Sequence, residues 1–152
     1  MRSGLKQLVR DVAASLLYRS GVTRPENPAR LSIVTFHRVL SPEELADYPI
    51  PDIAVTPDEL GWFLEFFGQH FEVGTLERMH DRWSSGALFD RPPLAITFDD
   101  GQLDNFRHAR PVLDRARVRA SFFVPTEAIE TGRLLWHDRA AYAMQAWLER
   151  DE

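Results

Sequence analysis

Apolar residues change their spacing along the chain, and each change marks a predicted strand or helix. Short runs rich in β-branched and aromatic residues predict strands at 31–36, 71–73, 94–98 and 120–124. Between these runs, apolar positions three or four residues apart predict helices, among them one within 76–83 and one from Asp138 onward. Strands that alternate with helices predict an α/β fold with a parallel sheet or barrel.

The helix after the first strand has the clearest start signal. Thr56 can cap it, Pro57 suits its first position, and Glu59 completes a capping box. The chain before it, with three prolines, is predicted to be a loop. Aromatic residues follow at helical spacing and are expected in the core, although such rings can also stack on sugars. They are Trp62, Phe63, Phe66, Phe67 and Phe71.

Two later helices have predicted buried faces. One follows Gly101, with Pro111 in its first turn or at a bend. Its face comprises Phe106, Ala109, Leu113 and Ala116. The helix that begins near Asp138 offers Tyr142, Ala143, Ala146 and Trp147 as buried positions.

Residues 1–28 are predicted to form an amphipathic helix and a linker, ahead of a body at 29–152. The helix could dock on the body, or its basic side could rest on a membrane surface. No segment is long and apolar enough to span a bilayer, and Arg10 and Asp11 interrupt any signal-peptide core. We therefore expect a cytoplasmic protein or one peripheral to the membrane.

The composition argues against some binding partners and excludes all chemistry that depends on cysteine. The 152 residues carry a net charge of -5, with 18 basic against 23 acidic residues, which argues against nucleic-acid binding. The absence of cysteine excludes disulfides, thiol nucleophiles and cysteine-type zinc sites. The sequence does not fix the oligomeric state.

Two adjacent carboxylates, Asp99 and Asp100, follow the apolar strand at 94–98 and precede Gly101. Like charges this close raise each other's pKa, as burial does, so such a pair is costly without a cation or hydrogen bonds. One carboxylate could bind a divalent metal while the other takes a proton from a metal-bound water. An Asp-Asp-Gly sequence can also be a simple turn with a capping Asp.

The segment Thr97-Phe98-Asp99-Asp100-Gly101 resembles the first motif of the polysaccharide deacetylases, the NodB-homology or carbohydrate esterase 4 family. The resemblance extends over about residues 31–136. It includes the sequences Leu-Asp-Asn-Phe at 103–106, Ala-Arg-Pro-Val-Leu at 109–113, Arg-Ala-Ser-Phe-Phe-Val at 119–124 and Thr-Phe-His-Arg-Val at 35–39.

This resemblance implies a partial distorted (β/α) barrel and a hydrolase that removes acetyl groups from N- or O-acetylated polysaccharide or oligosaccharide. It implies that Asp99 is the general base and that Asp100 binds a divalent metal, usually zinc. His37, which follows the first strand, is expected to contact substrate. The alternatives for His37 are a metal ligand and a histidine that hydrogen-bonds the backbone.

The chain departs from the family's second motif, in which two histidines on a His-xxx-His spacing complete the metal site. No two of its histidines are four residues apart: they are His37, His70, His80, His108 and His137. The expectation is therefore the N-terminal part of a longer deacetylase, possessing an incomplete zinc site. The alternative is a non-catalytic carbohydrate-binding or interaction module derived from one.

Overall fold

The computed structural model describes residues 30–150. The predicted amphipathic helix at 1–28 lies outside the described residues. Short strands alternate with helices through the described part. The strands are β1 (Ser32–Phe36), β2 (Arg38–Val39), β3 (Ala54–Val55), β4 (Glu72–Gly74), β5 (Pro93–Phe98) and β6 (Ser121–Phe122). The helices are α1 (Pro42–Ala46), α2 (Pro57–His70), α3 (Leu76–Ser84), α4 (Arg110–Ala116), α5 (Thr126–Thr131) and α6 (Trp136–Leu148).

Strand β5 is the centre of a four-stranded parallel sheet. Strand β1 runs along one of its edges, in register from Ser32 opposite Leu94 to Phe36 opposite Phe98. Strands β4 and β6 share the other edge, β4 beside the first half of β5 and β6 beside its last two residues. A separate parallel pair joins β2 to β3. The predicted mixed α/β fold with parallel strands is confirmed, while closure into a barrel stays a prediction.

All six residues of β5 are buried, as expected for a parallel strand that is covered on both faces. The core forms around it from strand residues together with side chains of α2 and α4. At the end of the sheet the rings of Phe36 and Phe98 stack with centroids 5.4 Å apart. The buried cluster consists of Phe36, Val39, Leu60, Leu64, Phe67, Leu94, Ile96, Phe98, Ala109, Val112 and Leu113.

The start of α2 agrees with its sequence signal. The Thr56 side chain accepts a hydrogen bond from the Glu59 backbone N–H, and the Glu59 carboxylate accepts one from the Thr56 backbone N–H. Ser41 and Glu44 form the same reciprocal pair at the start of α1, in a region predicted to be a loop. That prediction was wrong in part, because the Ser-Pro-Glu-Glu sequence at 41–44 carries the same capping signal as residues 56–59.

Other expected core positions are exposed. Of the five aromatic residues expected in the core, Trp62 is 61% exposed. Phe106 is also exposed, because a π-helical turn at Asn105–Ala109 precedes α4 and shifts the helix phase by part of a turn. The expected buried face of α6 is exposed at all four positions, including Tyr142 and Trp147, and in residues 30–150 the buried residue of that helix is Asp138.

Candidate active site

The Asp-Asp-Gly motif forms a tight turn at the carboxyl end of β5. The Asp99 backbone N–H donates a hydrogen bond to the Phe36 carbonyl at 3.0 Å, which ties the turn to the end of β1. Asp100 has φ +70° and Gly101 has φ +57°, so two successive residues are in the left-handed region. Asp tolerates this region better than most residues, but it still stores strain of a kind that clusters at functional sites.

The structure brings the three predicted site residues to one edge of the sheet. Because Phe36 lies opposite Phe98, His37 and Asp99 occupy the next positions of two paired strands. Asp100 follows directly, and all three residues are half-buried. The carboxyl edge of a parallel sheet is where α/β enzymes place their working groups. The roles assigned to Asp99, Asp100 and His37 stay predictions.

His137 is a further group at this edge. It comes from the first turn of α6, and its Nε2 atom lies 3.7 Å from Asp100 Oδ2 and 3.9 Å from Asp138 Oδ1. Its side chain is 28% exposed and that of Asp100 is 18% exposed, so this pair is partly shielded from water. Sequence reasoning placed His137 only near a helix start, because no local pattern links it to the Asp-Asp-Gly turn.

Beside this edge lies a buried polar group that we call the Asp138 cluster: Arg38, Tyr48, Gln102, Asp104 and Asp138. Asp138 accepts hydrogen bonds from Tyr48 Oη at 2.9 Å and from Gln102 Nε2 at 3.0 Å. Arg38 Nη1 lies 3.8 Å from Asp138 Oδ1. Asp104 accepts from Arg38 Nε at 2.7 Å and from the Val39 backbone N–H at 2.9 Å. Each buried carboxylate thus has the partners that burial requires.

Sequence reasoning did not predict that these five residues come together. Gln102 joins the cluster through its contact with Asp138. The Tyr48 and Asp138 positions are 90 residues apart, so no spacing rule relates them. The sequence offered one signal for this cluster: Arg38 lies next to a predicted strand, and Asp138 lies at a predicted helix start.

Burial and hydrogen bonding change the acidity of the cluster. Burial raises the pKa of Tyr48 to about 12, with the hydrogen bond to Asp138 acting in the same direction. Burial lowers the pKa of Arg38, but its charge and hydrogen-bond interactions with Asp104 outweigh this effect, so the pKa is raised overall. Tyr48 is therefore a neutral donor and Arg38 a permanent cation at neutral pH.

The Arg38 guanidinium also lies over the Tyr48 ring, with its Cζ atom 4.5 Å from the ring centroid. A cation–π contact of this kind adds to the hydrogen bonds that hold β2 beside the chain after α1. His108 Nε2 lies 2.9 Å from Oε2 of Glu44, which belongs to α1.

A cavity of about 240 Å³ opens directly beside Asp100. The left-handed turn forms one wall, and the start of α5 and the chain before α6 form the others. The residues around it are Asp100, Gly101, Gln102, Leu103, Val124, Pro125, Ala128, Ile129, Gly132, Arg133, Leu134 and Leu135. A carboxylate at the edge of a cavity lined by both apolar and polar groups is an arrangement suited to binding a small acyl group.

The donor set for a metal ion is incomplete within residues 30–150. No three His, Cys, Asp or Glu side chains in this part of the chain are grouped so that they could hold a metal ion. Asp100 and His137 together offer two donors, whereas a catalytic zinc normally has three protein ligands. These residues do not fit a complete zinc site, and zinc stays a prediction.

Residues 88–146 match the family described as polysaccharide deacetylase. IcaB from Ammonifex degensii has a similar structure, with a TM-score of 0.51 and 27% identity, and the likeness covers 62% of this chain and 37% of IcaB. The resemblance to polysaccharide deacetylases is confirmed. Two deacetylases of lower identity share the fold, and no curated protein matches the chain.

The first of these two deacetylases is PplD from Streptococcus pyogenes, solved in complex with acetate. Its TM-score is 0.52 at 24% identity, covering 72% of this chain and 49% of PplD. The second is a de-N-acetylase from Aggregatibacter actinomycetemcomitans, with a TM-score of 0.55 at 16% identity, covering 69% of this chain and 42% of the other. The chain thus spans less than half the length of each of these deacetylases.

None of the helices within residues 30–150 has both the length and the apolar character needed to cross a bilayer.

Proposed function

We propose that this chain contributes to a hydrolase that removes acetyl groups from N- or O-acetylated polysaccharide or oligosaccharide. The observation that supports this most directly is the Asp99–Asp100–Gly101 turn at the carboxyl end of β5, with Asp100 held at φ +70°. The match of residues 88–146 to the polysaccharide deacetylases includes this turn.

In the proposed reaction, Asp99 is the general base. Its carboxylate takes a proton from a water molecule while the water oxygen bonds to the acetyl carbonyl carbon. The bond from that carbon to the sugar nitrogen or oxygen then breaks, and the proton passes to the leaving group. The products are acetate and a free amine or hydroxyl, so one water is consumed for each acetyl group released.

Asp100 is proposed to be one ligand of a divalent cation, zinc being the predicted ion. The proposal requires ligands beyond those that residues 30–150 provide, because Asp100 and His137 offer two donors only. His37 is proposed to contact the sugar, since it occupies the position next to Asp99 on the neighbouring strand. The cavity of about 240 Å³ beside Asp100 is the proposed site of the acetyl group.

Release of acetate from N-acetylglucosamine oligomers and from O-acetylated xylan tests the proposal. The full 152-residue chain is assayed with added zinc and, separately, with a chelator, next to Asp99→Asn. Asp81→Asn is the matched control, because Asp81 is 72% exposed on α3, away from the site. We expect Asp99→Asn to lower the rate by at least about 100-fold and Asp81→Asn to leave it unchanged. Acetate release by Asp99→Asn at the same measurable rate as by Asp81→Asn would overturn Asp99 as the base.

The second candidate is a carbohydrate-binding or interaction module without catalysis. The incomplete set of metal donors within residues 30–150 favours it for this chain taken alone. Calorimetric titration with the same oligomers, with and without chelator, separates the two candidates. Binding that is unaffected by chelator, without acetate release, supports the module, whereas zinc-dependent acetate release excludes it.

A further inference from the structure

Asp138 is a buried carboxylate that the proposed reaction does not use. It is 1% exposed, although Asp is among the residues that are almost never fully buried without partners. Its oxygens accept hydrogen bonds from two neutral donors, Tyr48 Oη and Gln102 Nε2, and Arg38 Nη1 lies 3.8 Å from its Oδ1. Taking a carboxylate out of water costs several kcal/mol before its partners compensate, so its place here needs a reason.

The contacts of Asp138 converge on the Asp-Asp-Gly turn from two directions. Gln102 is the residue directly after the two left-handed positions, so its hydrogen bond to Asp138 holds the exit of that turn. Asp138 is also next to His137 in the first turn of α6, and His137 Nε2 lies 3.7 Å from Asp100 Oδ2. One buried side chain therefore contacts the residue that follows the turn and also lies 3.9 Å from the imidazole that faces Asp100.

Asp138 also contacts Tyr48, which connects it to Arg38 and Asp104. Tyr48 donates to Oδ1 and is itself held under the Arg38 guanidinium, which is paired with Asp104. Asp104 stands two residues after Gln102, at the start of the π-helical turn. The contacts of the cluster therefore run from Gln102 through Asp138, Tyr48 and Arg38 to Asp104, and so begin and end in the same segment of the chain.

We propose that Asp138 is a positioning residue for the Asp99–Asp100 pair: through Gln102 and His137 it sets the left-handed turn that aims Asp100 into the cavity. Its effect on turnover rests on the proposed function, whereas its effect on the turn does not. The left-handed conformation at Asp100 is intrinsically unfavourable, so it needs contacts that over-determine it. The Asp99–Phe36 backbone hydrogen bond holds the entrance of the turn, and the Gln102–Asp138 hydrogen bond is the side-chain contact directly after it that can do this.

A reciprocal exchange of side chains tests the hydrogen bond. Gln102→Glu places a second carboxylate against Asp138 and is expected to displace the turn. Adding Asp138→Asn restores an amide-to-carboxylate hydrogen bond with the roles reversed, while Asn Oδ1 still accepts from Tyr48. Asp138→Asn alone is expected to be mild, since the Gln102 amide can rotate to present its oxygen. Gln102→Ala removes the donor without adding charge, in case Gln102→Glu does not fold.

The primary readout is the ¹H–¹⁵N NMR spectrum of the full chain. We expect the Asp100 and Gly101 amide signals and the His137 ring signals to move in Gln102→Glu and Gln102→Ala. We expect them to return towards the original positions in the double variant. The exposed Asp81→Asn gives the background change. Signals at the turn that move no further than this background, or a double variant no closer to the original than Gln102→Glu, would overturn the proposal.

Acetate release provides the second readout. If the chain is active, we expect Gln102→Glu to lower kcat by about 10- to 100-fold with KM little changed, and the double variant to recover most of the loss. A chain that releases no acetate while its turn signals follow the expected order contradicts the proposed function and supports the positioning role. An active chain in which Gln102→Glu and Gln102→Ala keep the original kcat contradicts the positioning role alone.

Discussion

Arg38 Nε donates a hydrogen bond to Asp104 Oδ2 at 2.7 Å, and the same carboxylate accepts from the backbone of Val39 at 2.9 Å. The Arg38 and Asp104 side chains are 14% and 7% exposed, so water competes little for either. The pair joins strand β2 to the start of the π-helical turn. It anchors the segment that immediately follows the Asp-Asp-Gly turn.

Removing one partner of this pair should be strongly destabilising. We expect Asp104→Ala to lower the free energy of unfolding by about 3–5 kcal/mol, because it removes the carboxylate that is hydrogen-bonded to the largely buried guanidinium and leaves Asp138, 3.8 Å away, as the remaining acidic partner. Urea denaturation followed by circular dichroism measures the change. The control is Asp114→Ala, which breaks an exposed pair with Arg110 and should cost less than about 0.5 kcal/mol. Similar losses of unfolding free energy in the two variants would show that the buried pair stabilises the fold no more than the exposed pair does.

Two glycines should respond to alanine in opposite directions. At Gly101, φ is +57° and an added Cβ would lie 2.6 Å from Val124 Cγ1, so Gly101→Ala should destabilise by about 1–3 kcal/mol. At Gly68, in α2, an added Cβ meets nothing within 4 Å, and alanine should stabilise by about 0.5–1 kcal/mol. Thermal unfolding of both variants measures the two signs, and a stabilised Gly101→Ala protein would contradict the geometry of the turn.

Tyr48 should ionise at an unusually high pH. Its pKa in the folded protein is raised to about 12, mainly by burial and then by its hydrogen bond to Asp138. The pKa of tyrosine in the unfolded chain is about 10. Between pH 10 and pH 12, Tyr48 is therefore protonated in the folded protein but ionised in the unfolded one. The stabilisation is fully present below pH 10 and is lost as pH rises through 12, on the order of 2 kcal/mol in all.

Ultraviolet absorbance of the phenolate follows this titration directly. Tyr48→Phe should remove the late phase of the absorbance rise, whereas Tyr142→Phe should leave it in place, because that variant keeps the Tyr48 phenol and its hydrogen bond to Asp138. A late phase that survives Tyr48→Phe would assign it to another group.

The cap of α2 provides a smaller, local test. Thr56 accepts a hydrogen bond from the Glu59 backbone and donates one from its hydroxyl to the Glu59 carboxylate at 2.9 Å. We expect Thr56→Ala to cost about 1 kcal/mol and Thr56→Ser to cost much less, because serine keeps the capping oxygen. Chemical denaturation of the two variants measures the difference, and equal losses would mean that the methyl group rather than the cap matters.

Features set by local sequence were predictable. A buried strand of apolar residues that ends in Thr97 and Phe98, and a Thr-Pro-Asp-Glu helix start, each carry their structure within a few residues. The position of Asp99 and Asp100 at the strand end followed from the same pattern. The α1 helix was missed although its signal was present, because the prolines around it favoured a loop.

Features set by distant contacts were not predictable. Asp138 is buried because Tyr48 and Gln102 donate to it, and no periodicity within α6 announces that role. Tyr142 and Trp147 have core-like spacing yet remain exposed in the described part of the chain. Phe106 left the predicted face because a π-helical turn changed the phase, and a single extra residue in a turn leaves no apolar signature.

The order in which this site can assemble follows from where its parts stand in the chain. Thr35 of β1 and Thr97 of β5 form a side-chain hydrogen bond, although they are 62 residues apart in the sequence. Tyr48 and Asp138, which are also hydrogen-bonded, are 90 residues apart. During synthesis, β1 must therefore wait for β5, and the Asp-Asp-Gly turn must wait for α6. Closing such long loops costs entropy before any contact offsets it. The carboxylate pair is thus synthesised before Asp138 but acquires its surroundings only when residue 138 has emerged.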